Sequence, residues 1–220
     1  MFYLLHGSGG DEEAWVSLGR TAQIIDNLIA QGKVIPMILV MPNGHTQNAG
    51  APLESSRDYT PMMGGGPRKA VSSMEDSFMD VMAFVENNYR VKEGKANRAI
   101  AGLSMGGMHS AAISAKYPGT FDYIGIFSAP PVVPLLQSKY VDNYDTIDKF
   151  LAGMKVQQMN GFKLYWVACG ESDFLFESVT ESLKNMDEIG FKYNYHESEG
   201  GHIWKNWRIY LSEFLPMLFK

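Results

Sequence analysis

Cysteine is almost absent from this chain. Cys169 is the only one in 220 residues, which excludes an intrachain disulfide and any cysteine-built metal site. Long apolar runs are missing too: no stretch approaches the ~20 residues that a helix needs to cross a bilayer. Basic clusters are also lacking. With 19 Lys and Arg against 24 Asp and Glu the net charge is −5, a poor surface for nucleic acid. The opening MFYLLHG has neither the basic start nor the cleavage site of a signal peptide. No internal repeat is visible. What is present is a globular composition, 45% hydrophobic and 12% aromatic, in a length that suits a single domain over residues 1–220.

Strand-like stretches alternate with stretches of helical period. FYLL (2–5), VIPMILVM (34–41), RAIAGL (98–103), YIGIFS (123–128), KLYWVAC (163–169) and KYNYHE (192–197) read as strands. Ile24, Ile25, Leu28 and Ile29 form one apolar helix face, closed by Gly32. Val71, Met74, Phe78, Met82, Val85 and Tyr89 form a second, with Ser72 and Glu75 spaced as a capping box. Val179, Leu183, Met186 and Ile189, closed by Gly190, form a third, and Trp207, Leu211, Phe214 and Leu218 a fourth. This alternation predicts an α/β fold with a mostly parallel central sheet and helices on both faces. Two long connections, 43–70 and 129–161, would leave the carboxyl ends of strands, where such sheets bind ligands. They are expected as variable loops near the active site, the second beginning APPVVP and running into a weakly helical, polar piece.

The stretch AIAGLSMGGMHSAA (99–112) carries the chemistry. Its G-L-S-M-G core fits the turn that holds a nucleophilic serine between a strand and a helix. By composition alone the pattern is weak, and a structural turn would also accommodate it. Its position, after an apolar strand and before a small-residue helix, favours Ser104 as nucleophile. A serine needs a base oriented by a carboxylate, and here the chain order would be Ser, acid, His. The acid is Asp173 or Glu171 in ACGESD, with Asp173 deeper in its loop. Of five histidines, His202 in SEGGHIWKNW is the best placed base. His6 and His45 precede the serine, His109 lies more than a turn along the following helix, and His196 falls inside a strand. Two backbone amides would stabilise the tetrahedral oxyanion. Met105, directly after the nucleophile, supplies one, and Ser8 in YLLHGSGGD the other; a plain glycine turn is the bland alternative for that segment.

With these residues in view, the chain resembles the esterase D-like branch of the α/β-hydrolases. It is most similar to the bacterial feruloyl esterases of carbohydrate esterase family one, often attached to xylanases. The resemblance runs almost end to end, through YLLHGSGGDEEAW, IIDNLIAQGKVIPMILVMPNG, NRAIAGLSMGG, FDYIGIFSA, ACGESD and GGHIWKNWR. It implies a Ser104–His202–Asp173 triad, oxyanion amides at Ser8 and Met105, and no metal or organic cofactor. It also implies cleavage of esters that join a hydroxycinnamic acid such as ferulate to arabinose on plant xylan. An apolar slot for the phenolic acid would be walled by Trp15, Tyr59, Met105 and Trp204. Relatives with the same motifs remove acetyl groups, open siderophore lactones, hydrolyse S-formylglutathione or transfer acyl groups. A non-catalytic binding module on the same frame is the alternative from another class. A polymeric substrate implies a secreted or periplasmic protein. Family members carry two further strands before the one that ends in H-G, whereas this chain begins inside it. The expected consequence is an exposed 34–41 edge strand and a homodimer through it.

Overall fold

Along β1 (Phe2–Leu5) alternate side chains enter two different cores: Tyr3 and Leu5 face one, Phe2 and Leu4 the other. This period of two, apolar at every position, is what a strand covered on both faces requires. The computed structural model describes residues 1–45, 73–135 and 146–220. Within them β1 is joined by β2 (Leu39–Val40), β3 (Ala99–Leu103), β4 (Tyr123–Phe127), β5 (Leu164–Gly170) and β6 (Asn194–Ser198). All pairings are parallel, in the order β2-β1-β3-β4-β5-β6. The expected mostly parallel α/β sheet is therefore found.

Among the described residues seven helices cover it. On one face lie α3 (Met74–Asn88), α4 (Met105–Lys116), α5 (Ile147–Asn160) and α6 (Phe176–Glu188); on the other lie α1 (Ala14–Ser17), α2 (Thr21–Ala30) and α7 (Trp204–Phe214). Every residue of α4 from Met105 to Ala115 is buried, because its glycines, alanines and serines let it press onto the sheet. On the opposite face Gly125 leaves room for Phe214: a Cβ there would stand 2.9 Å from the Phe214 ring and 2.8 Å from Ala101.

Three sequence expectations need correcting. The strand at 34–41 shrinks to Leu39–Val40 at the sheet's edge. Pro36 has no amide to donate, and β1 offers its outer edge only to this short piece, with Phe2 N–H also reaching Ile38 O at 2.9 Å. The capping box sits one residue later: Ser73 caps α3, accepting the Asp76 N–H at 3.1 Å. Glu75 is unavailable for that task because it turns inward to His109. Finally, the weakly helical second half of 129–161 is the regular helix α5 and not part of a variable loop; Thr146 caps it and it packs beside α4. The connection at 43–70 is described only as far as His45.

Candidate active site

Ser104 stands between β3 and α4 with φ 53° and ψ −119°, a backbone conformation that costs a non-glycine residue about 1–3 kcal/mol. The surroundings enforce it. Its N–H donates to Phe127 O at 2.8 Å, and its carbonyl accepts the Met108 N–H at 3.0 Å. A Cβ on Gly102 would lie 2.4 Å from the Gly106 backbone, and one on Gly106 would lie 2.4 Å from Leu5 O. Side chains at either glycine would force the turn open. Serine at a helix N-cap ordinarily accepts a bond from the first turn, yet Ser104 makes no such capping bond. The positive φ turns its hydroxyl away from the helix and leaves it for other partners.

The two residues expected to supply the oxyanion amides are Met105, next after Ser104, and Ser8, in the turn that follows β1. Met105 opens α4, where the first backbone N–H groups have no partner within the helix and carry its positive end. Ser8 is exposed in a turn closed by Gly10 N–H to Gly7 O at 3.1 Å, with Gly9 at φ 77°. That turn presses on Ser104: a Cβ built on Gly7 would stand 3.3 Å from the Ser104 Cβ. His6 holds it there. The His6 Nε2 must accept from Gly44 N–H at 2.8 Å, so Nδ1 carries the proton and donates to Gly7 O at 2.8 Å. Burial pushes the His6 pKa down from the ordinary imidazole value, in keeping with this neutral ring. Sequence reasoning set His6 aside as base and missed this tie, which no spacing would have revealed.

Asp173 and His202 meet. The His202 Nδ1 lies 2.9 Å from Asp173 Oδ1 and 2.8 Å from Oδ2, and the Asp173 side chain is wholly buried. Burial alone pushes the Asp173 carboxyl up; hydrogen bonds from His202 and the Leu175 N–H outweigh it and leave the pKa below the ordinary carboxylate value. Backbone contact sets the two loops against each other. Gly170 ends β5 so close to Gly200 that a Cβ would lie 2.2 Å from the Gly200 oxygen. Ser172 N–H bonds Gly200 O at 3.0 Å, and Glu171 N–H bonds Ser198 O at 2.9 Å. Asn206 fastens the histidine loop from below, donating to Glu199 O at 2.9 Å. The competing acid, Glu171, is exposed. No hydrogen bond joins His202 to Ser104 among the described residues, so that side of the triangle is left open.

The other histidines are occupied elsewhere. His109 pairs with buried Glu75 at 2.5 Å, and His196 stacks on Trp166 beside Glu213. Around His202 an unbroken file of rings runs outward. Trp15 and Trp204 are 5.4 Å apart, Trp204 and Trp207 5.1 Å, Trp207 and His202 5.0 Å, and His202 and Phe174 4.5 Å between centroids. Trp204 is half-buried, whereas Trp15 is only 1% exposed and donates its indole N–H to Leu5 O. Trp15 thus backs the wall that Trp204 presents. Tyr59 lies outside the described residues. Phe174, 75% exposed against His202, was not among the residues expected here; its place directly after the acid was the available clue. Among the described residues no group of His, Cys, Asp or Glu is arranged to hold a metal ion, and no helix is long and apolar enough to cross a membrane.

This geometry has relatives. The model of the Esterase family matches residues 1–218. The chain is 30% identical over 222 residues to the endo-1,4-beta-xylanase/feruloyl esterase of Xylanibacter ruminicola, covering 100% of this chain and 26% of that protein. It therefore spans about a quarter of that relative's length. It is 20% identical over 241 residues to an acetyl esterase of Caldicellulosiruptor saccharolyticus, covering 99% of this chain and 82% of that protein. Among solved structures a ferulic acid esterase superposes with a TM-score of 0.72 at 26% identity, covering 98% of this chain and 82% of that one. The six-stranded sheet with helices on both faces is an α/β-hydrolase sheet.

Proposed function

The chain belongs to the Esterase family, and we propose that it hydrolyses carboxylic esters through an acyl-enzyme on Ser104. The observation that carries this is the buried Asp173 carboxylate clasping His202, on the same end of the sheet as a strained serine withheld from its own helix. Ser104 Oγ attacks the ester carbonyl carbon while His202 Nε2 takes its proton, and Asp173 stabilises the imidazolium. The oxyanion is received by the Met105 and Ser8 amides. His202 then gives the proton to the departing alcohol, and water, deprotonated by the same ring, releases the acid. The contact from His202 to Ser104 closes when substrate is bound, as catalytic hydrogen bonds that are long in the free enzyme commonly do.

The substrate we propose is a feruloyl or related hydroxycinnamoyl ester on plant xylan. Two relatives support it, named for feruloyl and ferulic acid ester cleavage, together with the aromatic wall at Trp204. The leaving alcohol must lie at the outer edge of His202, where the exposed Phe174 ring offers a face to a sugar. A polymeric substrate would place the protein outside the cytoplasm. The second reading, an acetyl esterase, draws on the Caldicellulosiruptor relative. Initial rates on methyl ferulate and on methyl acetate separate them. A kcat/KM at least tenfold higher for ferulate is expected, and a clear acetyl preference would overturn the substrate while sparing the mechanism. Ser104→Ala should lower kcat on either ester by ~10⁴-fold or more; near-normal turnover in that variant would overturn the mechanism itself.

A further inference from the structure

Directly after Asp173 stands a ring that core packing does not account for. Phe174 is 75% exposed, the most exposed aromatic side chain among the described residues. The turn around it dictates that exposure. Asp173 N–H donates to Gly170 O at 3.0 Å, and the Asp173 carbonyl accepts the Phe176 N–H at 2.9 Å. Asp173 Oδ1 accepts the Leu175 N–H at 2.9 Å. With the Asp173 side chain wholly buried and Leu175 buried after it, the residue between them is turned to solvent whatever its type. Such a place ordinarily takes a polar side chain. A phenyl ring there keeps apolar surface in water, yet it has a definite neighbour: its centroid lies 4.5 Å from that of His202, tilted by 51°. Buried Trp207 meets the same imidazole edge-on from the protein side, at 5.0 Å. Phe174 meets it from the solvent side and does not seal it, since the His202 side chain keeps 17% of its surface open.

We propose that Phe174 determines specificity for the alcohol half of the ester: it is a platform on which a sugar ring rests while its ester bond is broken, so that glycoside esters are preferred over alkyl esters of the same acid. The inference rests on the Ser104–His202–Asp173 reading above and deepens it. In acylation His202 Nε2 hands its proton to the leaving oxygen, which must come within hydrogen-bond reach, about 2.6–3.2 Å. Whichever edge of the imidazole carries Nε2, that atom is no farther from the Phe174 centroid than the spacing of the two rings plus one imidazole radius. A ring carried on the leaving oxygen therefore arrives beside the phenyl. A furanose or pyranose offers a face of C–H groups with hydroxyls around its rim. The C–H face covers the phenyl and frees its water, while the hydroxyls stay hydrated at the open edge. A methyl alcohol is too small to cover the ring. Once the alcohol has left, nothing rests on Phe174, and all esters of one acid share the same acyl-enzyme. The platform acts on acylation alone.

Two pairs of esters test this, each pair sharing its acid. Methyl ferulate is set against a feruloyl ester of methyl arabinofuranoside, and methyl acetate against an acetyl ester of the same glycoside. In the pair whose acid is turned over, kcat/KM of the wild type should favour the glycoside ester by about tenfold or more, the gain expected from covering one face of a phenyl ring. Phe174→Ala should bring that ratio close to unity, and Phe174→Trp, which restores a flat face, should keep it. With enzyme in excess over the glycoside ester, release of the alcohol should slow in Phe174→Ala, and release of the acid from the acyl-enzyme should not follow it. Equal losses on both members of a pair, or release of acid slowed in parallel, would make the ring a shield for His202 and overturn the platform. A ratio that Phe174→Ala leaves in place, or that Phe174→Trp fails to keep, would overturn it as well. Because the ratio is taken within one acid, the platform can fail while the choice between ferulate and acetate stands, and that choice can fail while the platform holds. The loss of activity in Ser104→Ala judges the mechanism separately.

Discussion

Ser104, Gly102 and Gly106 were legible in the sequence because their chemistry is local: a turn of that shape excludes a Cβ at two fixed offsets from the serine. Gly170 is a different case. Its reason for being glycine is the Gly200 carbonyl, thirty positions along the chain, and nothing in ACGESD announces it. Gly170→Ala should therefore drive the acid and base loops apart and lower kcat about a hundredfold, the usual cost of a misplacement near 1 Å. Gly32→Ala, where a Cβ meets open space at φ 67°, should cost only about 1 kcal/mol of stability and leave kcat unchanged. Equal activity losses in the two variants would contradict this account of the contact. His6 makes its own prediction. Because its folded pKa is depressed, the unfolded chain takes up a proton below the ordinary value of 6.5 that the folded ring refuses. Stability should fall as pH drops from 7 to 5, and His6→Gln should flatten that slope in thermal melts. Asp173 does not confuse the window. Its pKa is lowered, so its contribution is present above the ordinary carboxylate value of 3.8 and is lost only at lower pH.

At the scale of elements, the strong periodic segments were readable and the boundaries were not. Helices α3, α6 and α7 fall where their apolar spacing puts them, since each buries a stripe that alone decides its register. The cap of α3 slipped by one residue because Ser72 with Glu75 and Ser73 with Asp76 offer equally good local chemistry. The choice was made by His109 on another helix, which claims Glu75. The 34–41 segment looked like a full strand because it is apolar throughout. Strand length, however, depends on a partner, and the partner edge together with Pro36 limits it to Leu39–Val40. Helix α5 was half hidden because its outward face is polar and only Phe150, Met154 and Gln157 are buried along it.

For the whole molecule, the two-faced sheet explains why composition and alternation sufficed for the fold class. Every β1 side chain is buried on one side or the other, so the apolar runs could belong only to covered strands. The strained turn at Ser104 and the meeting of Asp173 with His202 were legible. The contacts of His6, Trp207 and Phe174 around the site were not, because they arise between segments far apart in sequence. One property belongs to the assembled particle. Among the described residues β2 is one of the two outer strands of the sheet, with Ile35 56% exposed beside it, and we propose self-association through this edge. Sedimentation at micromolar concentration should show a dimer that Ile35→Glu dissolves; a wild-type monomer would contradict it.

The most direct test of the central claim is covalent labelling by a fluorophosphonate, which requires an activated serine. Intact mass should rise by one adduct, peptide mapping should place it on Ser104, and His202→Gln should slow the labelling by orders of magnitude. An unlabelled wild-type protein, or an adduct on any other serine, would contradict the account.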